Sequence, residues 1–473
     1  MKAALTGWGR RALPSQPPLP VSLRWALVAT LAIGALLRVV WALRMEPPAG
    51  LADPFFYLTL GDNLANGHGY SYLDVDANGA LSGYVPTAYY PPGYPLFLGV
   101  VLWVGGLLPG DLSPFTVAVG ANVVLSVVLI GLVFSLGRRL AGPRVGVIAA
   151  IVVAVWPNLV FHSGVVLTET SFLVLFVLML LIALATPEVA RQPGWRRVAA
   201  IGVLLGLVGL VRPVSFVVAP LFLVLWWSSG VGRAIRRCAV VGVACAAVLA
   251  PWAIASTRRM ESPVLVSLNF GDNLCIGYHD GADGSFMRAP ECLEGYEHLD
   301  RPEYETRRQE VNIDRTFSYI RENPIDALSL VPARARITLT HDADGVAAAE
   351  DYGSHSLFGA SVRSLLGNIA DGFYVLAAVL AASGVVLVAR RGLWSDRRWQ
   401  FLILSAPVQL LSPLLTFGDP RFKVPIYPVV AVCAALAIVA AVHRVPDTSA
   451  TVPGRSDRAR EPSITAPCSA GSQ

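Results

Sequence analysis

The chain has 473 residues, of which 54% are hydrophobic and only 15% are charged. Soluble globular domains carry about 25% charged residues, so this composition excludes an ordinary soluble enzyme and indicates lipid as the surrounding solvent. The formal net charge is +5, but the basic residues recur at the ends of apolar segments and form no single patch, which argues against nucleic-acid binding.

Apolar runs of about 15 to 23 residues follow one another along the chain and are long enough to cross a bilayer or nearly so. They lie at 25–44, 115–136, 144–161, 169–186, 197–211, 213–228, 237–255, 367–389, 399–417 and 424–443. Arg212-Pro213 separates the fifth run from the sixth, and a proline at that place must break a helix. The sequence therefore predicts an all-α polytopic membrane protein with about ten transmembrane helices, in a range of roughly 8 to 12.

Arginine-rich short segments alternate with the apolar runs and predict the orientation. They lie at 138–144, 191–197, 233–237 and 390–398, and the N-terminal segment is basic as well. Short loops rich in Lys and Arg stay in the cytoplasm, so both termini are predicted to be cytoplasmic, in the plasma membrane of a bacterium. The first run is long and no cleavage site closes it, so it is interpreted as a retained helix.

This topology divides the chain into a membrane domain at 25–443 and two cytoplasmic tails at 1–24 and 444–473, whose composition favours disorder. Two long loops then lie outside, at 45–114 and 256–366. In the first, 55–65 is interpreted as an amphipathic helix on the bilayer surface, and 70–84, with Asn78-Gly79 in its middle, predicts a hairpin. The second is expected to hold a small mixed subdomain with a helix near 304–322.

Two acidic residues at the predicted outer ends of spans are candidates for chemistry. Asp53 follows the first run, and a carboxylate there can accept a proton from an attacking hydroxyl. Its alternative role is to cap a helix that starts at Pro54. Glu169 begins the fourth run, where an ionisable side chain is usually paired or functional. The helix dipole also favours a carboxylate at this position, which leaves a structural role open.

Two arginines are candidates for binding a phosphate near the lipid headgroups. Arg421 lies between the last two runs, flanked by Asp419 and Lys423, and a guanidinium suits a phosphoryl leaving group. Interfacial anchoring or pairing with Asp419 are its alternatives. Arg212, beside the proline break, is the second candidate. His162, near Glu169, is interpreted as an interface histidine and not as a ligand.

A rigid aromatic segment occupies 89–95, Tyr-Tyr-Pro-Pro-Gly-Tyr-Pro. Its tyrosines, among them Tyr90 and Tyr94, can stack a sugar ring or shape a lipid groove. An aromatic belt at the membrane interface, followed by a proline turn, is the alternative.

Several patterns are set aside. The Asp-x-Asp motifs at 74–76 and 342–344 imitate those of nucleotide-sugar enzymes, but they lie in turn-prone outer loops where nucleotide sugars are not available. Neither a Gly-rich phosphate loop nor a metal-ligand spacing is present, so no cofactor is predicted, and dependence on a divalent metal is left open without a ligand set to support it. Cys275 and Cys292 share the second outer loop, and a disulfide between them is a hypothesis for an oxidising compartment.

The order of several of these residues within the predicted topology resembles the GT-C glycosyltransferases, and family 39 in particular. That family includes protein O-mannosyltransferases, aminoarabinose transferases and galacturonosyl transferases of lipopolysaccharide core. The residues are Asp53, Tyr57, Leu64, Gly-His-Gly-Tyr at 67–70, Pro-Pro-Gly-Tyr-Pro at 91–95, Thr-Glu-Thr at 168–170, and the segments 269–277 and 418–422. The resemblance covers nearly the whole chain except both tails.

The resemblance implies the GT-C fold and the transfer of a single sugar, with inversion, from a polyprenyl-phosphate carrier to an extracytoplasmic glycan, lipid or protein. It implies that Asp53 is the catalytic base and that Glu169 assists it or orients the sugar. Arg421 and Arg212 would then bind the phosphate, and the tyrosines at 57, 90 and 94 the substrate. Many protein mannosyltransferases carry Asp-Glu where this chain has Asp53-Pro54, which makes a glycan or lipid acceptor the stronger expectation.

Two other classes of function are alternatives to a glycosyltransferase. A lipid or sugar transporter or flippase would place ionisable or helix-breaking residues in mid-membrane, often in matched halves. The apolar runs are nearly free of acids and show no matched halves, so transport is the weaker interpretation. A non-catalytic membrane subunit would hold partner proteins through the two long outer loops and would not need Asp53 or Arg421.

Overall fold

The computed structural model describes residues 18–75, 81–185, 193–287, 289–294, 296, 299, 302–353 and 355–442. These residues are almost entirely helical. In the first half the elements are α1 Val21–Ala42, α2 Asp53–Ala65, β1 Ser71–Val75, β2 Leu81–Pro86, α3 Gly93–Gly105, α4 Pro114–Ala141, α5 Pro143–Ala154, α6 Pro157–His162, α7 Glu169–Ala183, α8 Trp195–Val211, a 3-10 helix Pro213–Val218, α9 Leu221–Trp226 and a 3-10 helix Trp227–Ser229.

The second half continues with α10 Val231–Met260, α11 Phe270–Gly277, α12 Pro290–Leu293, α13 Glu303–Glu322, α14 Pro324–Thr340, α15 Asp344–Asp351, α16 Ala360–Arg390, a 3-10 helix Leu393–Ser395, α17 Arg397–Gln409, α18 Leu411–Leu415, a 3-10 helix Pro420–Ile426 and α19 Tyr427–Val442. Among the described residues, five helical stretches are long and apolar enough to cross a membrane: α1, α4, α10, α16 and Pro420–Val442. The prediction of an all-α polytopic membrane protein is confirmed.

Each predicted apolar run falls on helix, but three of the runs are interrupted. Run 144–161 divides into α5 and α6 just before Pro157, run 213–228 is a 3-10 helix followed by α9, and run 399–417 divides into α17 and α18. Prolines account for the first two interruptions, because a proline cannot donate the hydrogen bond that continues a helix and its ring clashes with the preceding turn.

Arg38 compensates for the break after α5. Its side chain is fully buried, and its guanidinium donates to Ser126 Oγ at 2.5 Å, to Ala154 O at 2.8 Å and to Val153 O at 3.1 Å. Val153 and Ala154 are the last residues of α5, whose carbonyls lack partners within their own helix. A helix end surrounded by apolar groups needs such a donor, so Arg38 is a structural residue that makes the interruption tolerable.

The first outer loop folds as a compact unit. Helix α2 corresponds to the predicted helix at 55–65, and β1 pairs with β2 in antiparallel register from Ser71 opposite Pro86 to Val75 opposite Leu81. The Asn78-Gly79 turn lies outside the described residues. Helix α3 was not predicted, since its 13 residues are too few to span. It packs closely on α2, where a Cβ on Gly61 would lie 2.6 Å from Leu98 Cβ.

The described part of the second outer loop is a helical subdomain, α11 to α15, between α10 and α16, and not the mixed subdomain that was predicted. Its predicted helix at 304–322 is α13. A disulfide joins Cys275 of α11 to Cys292 of α12, with the sulfurs 2.03 Å apart. Within the described part of this loop the only extended pairing is an isolated bridge between Ser285 and Gly418, which ties the subdomain to the segment before α19.

Candidate active site

Asp53 is the first residue of α2, and its carboxylate receives donors from two sides. Ala52 occupies the N-cap position, so Asp53 does not have the capping role considered above. Oδ1 accepts a hydrogen bond from Tyr90 Oη at 2.8 Å, and Oδ2 accepts from both terminal nitrogens of Arg421 at 3.1 Å. The side chain is 28% exposed, so the carboxylate is oriented by the protein and still accessible to a substrate.

Arg421 links the two candidate acids. Its Nη2 lies 3.1 Å from Asp53 Oδ2, and its Nε lies 3.1 Å from Glu169 Oε1. Asp419 does not pair with the guanidinium in the way considered above. Its carboxylate instead accepts from the backbone N–H of Arg421 at 2.8 Å and caps the 3-10 helix that carries Arg421. The guanidinium is therefore free to hold Asp53 and Glu169 together.

Glu169 and Arg212 form the buried side of the site. Glu169 begins α7 and is 1% exposed, and Arg212 follows the last residue of α8. Arg212 Nη2 lies 3.3 Å from Glu169 Oε1. Neither Glu169 Oε2 nor Arg212 Nη1 has a hydrogen-bond partner among the described residues. Because buried polar atoms are normally satisfied, these atoms are suited to bind polar groups of a substrate.

The four charged side chains form a balanced alternating row, in the order Asp53, Arg421, Glu169, Arg212. Asp53 lies at the start of α2, Glu169 at the start of α7, Arg212 at the end of α8 and Arg421 in the 3-10 helix just before α19. An anionic phosphate that approaches the two guanidinium groups competes with the carboxylates for them. The arrangement can therefore bind a phosphate and weaken the hold on Asp53 in the same event.

The three candidate tyrosines do not have equal access to this row. Tyr90 donates to Asp53, and its ring centroid lies 4.9 Å from that of Tyr57. Burial raises the pKa of Tyr90 well above its usual value, and the Asp53 charge adds to the rise, so the hydroxyl remains a donor. Tyr94 is fully buried and exchanges hydrogen bonds with Asn122. Its predicted contact with substrate is therefore corrected to packing behind Tyr57, 5.5 Å away.

A second polar cluster beside the site was missed from the sequence. Asp342 and Asp344, set aside above as turn residues, are held inside the protein. Asp344 Oδ2 lies 2.7 Å from His162 Nε2, and Asp344 Oδ1 accepts from Asn158 Nδ2 at 2.7 Å. Asp342 is fully buried and lies 3.1 Å from Lys423 Nζ. The signal available in the sequence was the set of polar residues Asn158, His162 and Lys423 at the ends of apolar runs.

This cluster fixes the segment that carries Arg421. Lys423 donates to Pro420 O at 3.1 Å and to His341 O, so it joins the 3-10 helix to the residues before α15. Trp156 Nε1 and the Tyr427 hydroxyl also donate to the Asp342 carboxylate. The position of Arg421 thus depends on a buried ion pair two residues away.

Replacing Lys423 with Met is expected to lower the free energy of unfolding by about 3–5 kcal/mol, because the carboxylate of Asp342 is left buried without its cation. Thermal denaturation in detergent measures the effect. Adding Asp342→Asn to Lys423→Met removes the stranded charge and is expected to restore part of the loss. A wild-type melting temperature for Lys423→Met alone would contradict the structural role of the pair.

An apolar cleft opens beside Asp53. It is a shallow, half-open depression whose lining includes Pro54, Val166, Ala349 and Tyr352, with Glu46 among its polar residues. Burial raises the pKa of Tyr352 to about 12, and the Arg421 charge opposes the rise. Because Pro54 lines the cleft, its apolar surface lies next to the partly exposed carboxylate of Asp53.

Comparisons with known protein families and with solved structures show what this architecture is similar to. A family model described as dolichyl-phosphate-mannose-protein mannosyltransferase matches residues 92–254, from just before α3 into α10. Over 89% of the chain, the structure is similar to the oligosaccharyltransferase AglB of Archaeoglobus fulgidus in complex with an inhibitory peptide and a dolichol-phosphate, with a TM-score of 0.52 and 15% identity. The chain has the GT-C fold.

ArnT of Cupriavidus metallidurans in the apo state is similar to the same extent, with a TM-score of 0.50 and 14% identity over 89% of the chain. The chain spans about half the length of AglB, since it covers 50% of that structure, and it covers 60% of ArnT. No curated protein sequence matches it. The GT-C resemblance inferred from the sequence is confirmed, and the likeness to both structures establishes the fold.

Proposed function

We propose that this protein is a membrane glycosyltransferase that moves one sugar from a polyprenyl-phosphate donor to an acceptor outside the cytoplasm. One observation carries the proposal. A partly exposed carboxylate, Asp53, is held by a guanidinium, Arg421, that also contacts the buried Glu169 beside Arg212. This row unites a base with two anion-binding groups, and the matched family model and AglB are both named for glycosyl transfer.

In the proposed reaction the acceptor hydroxyl attacks the anomeric carbon of the donor sugar. A bond forms between the acceptor oxygen and that carbon, while the bond from the carbon to the phosphate oxygen breaks and its electron pair leaves with the lipid phosphate. The proton of the hydroxyl passes to Asp53, as in general-base catalysis. Arg421 and Arg212 balance the charge that develops on the phosphate. A single displacement of this kind inverts the configuration of the anomeric carbon.

Glu169 has a supporting part in this proposal. It is almost fully buried between the two guanidinium groups, so it is a poor candidate to take a proton from an acceptor. Its carboxylate keeps Arg212 and Arg421 near each other before the donor arrives. Oε2, which has no hydrogen-bond partner among the described residues, is suited to accept from a sugar hydroxyl.

The cleft beside α2 supports a glycan or lipid acceptor. Its walls are mostly apolar, which suits the apolar face of a sugar ring or a lipid. We further propose that the site faces outward from a bacterial plasma membrane, with both termini in the cytoplasm. The support is the alternation of arginine-rich segments with apolar runs and the position of all four charged groups at helix ends.

The proposal is tested with purified full-length protein in detergent and a panel of radiolabelled polyprenyl-phosphate sugars, in the presence of cell-envelope acceptors. The expected result is release of sugar from one of these lipids by the wild-type protein and no release by Asp53→Asn. No release from any donor by folded wild-type protein would overturn the proposal.

A further inference from the structure

The outer subdomain reaches the candidate active site through residues 87–90, which run between the hairpin and α3. We infer that Asp272 of α11 is a positioning residue that fixes Tyr89 and, through it, the Tyr90 hydroxyl against Asp53. The inference rests on the function proposed above, because it assigns Asp272 a part in setting the catalytic carboxylate.

Asp272 collects donors from three side chains. It is 1% exposed, and it accepts from Tyr89 Oη at 2.6 Å, from Asn312 Nδ2 at 2.8 Å and from Arg308 Nε at 3.0 Å. Burial raises the pKa of Tyr89 well above its usual value and the neighbouring Asp272 charge adds to the rise, so the hydroxyl stays protonated and donates. Charge-assisted hydrogen bonds of this kind are short and strong, so Tyr89 is firmly held.

The support behind Asp272 is itself rigid. Asn312 and Arg308 both belong to α13, and Asn312 Nδ2 also donates to Cys292 O at 2.9 Å. Cys292 is joined by the disulfide to Cys275 of α11, the helix that carries Asp272. Asp272 is therefore fixed from α11 and from α13 together.

The same segment has a second anchor on the outer subdomain. Glu305 of α13 is 2% exposed, and it accepts from Thr87 Oγ1 at 2.7 Å and from the backbone N–H of Ala88 at 3.0 Å. The backbone N–H of Leu268 donates to Ala88 O at 2.8 Å. Three consecutive residues, 87 to 89, are thus hydrogen-bonded to the outer subdomain immediately before Tyr90.

Tyr90 transmits this placement to Asp53. The rings of Tyr89 and Tyr90 meet edge to face with centroids 5.0 Å apart, and Tyr70 Oη donates to Tyr90 O at 2.9 Å. With its backbone fixed on both sides, the Tyr90 side chain points its hydroxyl at Asp53 Oδ1. A carboxylate that must meet a reacting hydroxyl within a few tenths of an ångström benefits from such support.

The test compares kcat and the donor KM for Tyr89→Phe, Tyr90→Phe, the double variant and Asp272→Asn. Tyr89→Phe keeps the ring and removes only the hydroxyl that Asp272 binds, so it is the gentlest probe. We expect Tyr90→Phe to lower kcat about 10- to 100-fold, because it removes a hydrogen bond to a charged group. Tyr89→Phe should lower kcat about 3- to 10-fold, and the double variant should match Tyr90→Phe. The donor KM should change less than about twofold in all three variants, because none of them removes a group proposed to bind the donor phosphate.

Asp272→Asn should lower kcat at least as much as Tyr89→Phe. The matched control is Asp314→Asn, the same substitution on an exposed position of α13, which should leave kcat unchanged. Wild-type kcat for Tyr89→Phe, or effects of Tyr89→Phe and Tyr90→Phe that multiply in the double variant, would overturn the positioning role. If folded wild-type protein releases no sugar from any donor, the proposed function fails instead, so the two failures are distinguishable.

Discussion

Asp53→Asn is expected to lower turnover by about 10²- to 10⁴-fold, the contribution typical of a positioned general base. The amide keeps the shape of the carboxylate but cannot take a proton from the acceptor hydroxyl. Tyr90 can still donate to the amide oxygen, and Arg421 keeps its contact with Glu169, so the fold should survive. Initial rates of sugar release from the donor, at saturating donor and acceptor, measure the effect.

Asp62→Asn provides the matched control, since Asp62 belongs to the same helix, α2, and takes no part in the charged row. It should turn over like the wild type. Gel filtration and thermal denaturation establish that both variants are folded. Full turnover by a folded Asp53→Asn protein would show that the carboxylate is not the base and would remove the central step of the mechanism.

The sequence was sufficient to predict an all-α polytopic membrane protein because apolar runs are local signals. It was not sufficient to predict where helices are interrupted within the apolar runs. Pro157 and Pro220 interrupt two runs for a reason that the sequence shows. What makes the first break stable is Arg38, a residue 115 positions away from Val153 in the chain. Helix α3 was not predicted because its 13 residues are fewer than a membrane span needs.

The sequence predicted the four residues of the charged row but not the contacts among them. Asp53, Glu169, Arg212 and Arg421 all lie at ends of apolar runs, where charges in membrane proteins concentrate. The contact between Asp53 and Arg421 joins residues 368 positions apart, and nothing local encodes that Arg421 contacts two acids at once. Each residue could therefore be predicted from its position in the sequence, whereas the distances between them are known only from the folded structure.

Burial of polar groups was the weakest part of the sequence interpretation. Asp342 and Asp344 stand in turn-like sequence, and the sequence does not show that Trp156, His162 and Lys423 surround them. The Asp272 cluster was unforeseen for the same reason, since its partners come from α13 and from Tyr89. Acids of this kind are satisfied only by tertiary contacts, so their importance appears only after folding.

The row also explains how a resting site avoids uncompensated charge. Two guanidinium groups without the two carboxylates would be costly to bury, and the carboxylates without the guanidinium groups equally so. In the proposed reaction, a donor phosphate takes over contacts of Arg421 and Arg212, and Asp53, which then loses part of its contact with Arg421, becomes a better base. Donor binding and activation of the base are then coupled through one side chain, Arg421.

Arg421→Gln is accordingly expected to lower turnover by about 10²- to 10³-fold, in the range seen when one preorganised charge-stabilising donor is removed. The donor KM should rise as well, because a phosphate contact is lost in the ground state. Arg421→Lys keeps the charge, yet one ammonium cannot reproduce the three-nitrogen contact with Asp53 and Glu169. It should retain more turnover than Gln and clearly less than the wild type, as steady-state kinetics against the donor will measure.

Arg307→Lys is the matched control, since Arg307 makes an exposed pair with Glu310 on α13, and such pairs contribute little. It should behave as the wild type in rate and stability. Arg421→Gln should also destabilise the fold by up to about 3–5 kcal/mol, because Glu169 loses one of its two cations inside the protein. Adding Glu169→Gln should recover stability but not turnover. Recovery of turnover in that double variant would mean that Arg421 serves only to neutralise Glu169, and the coupling between donor binding and Asp53 would be wrong.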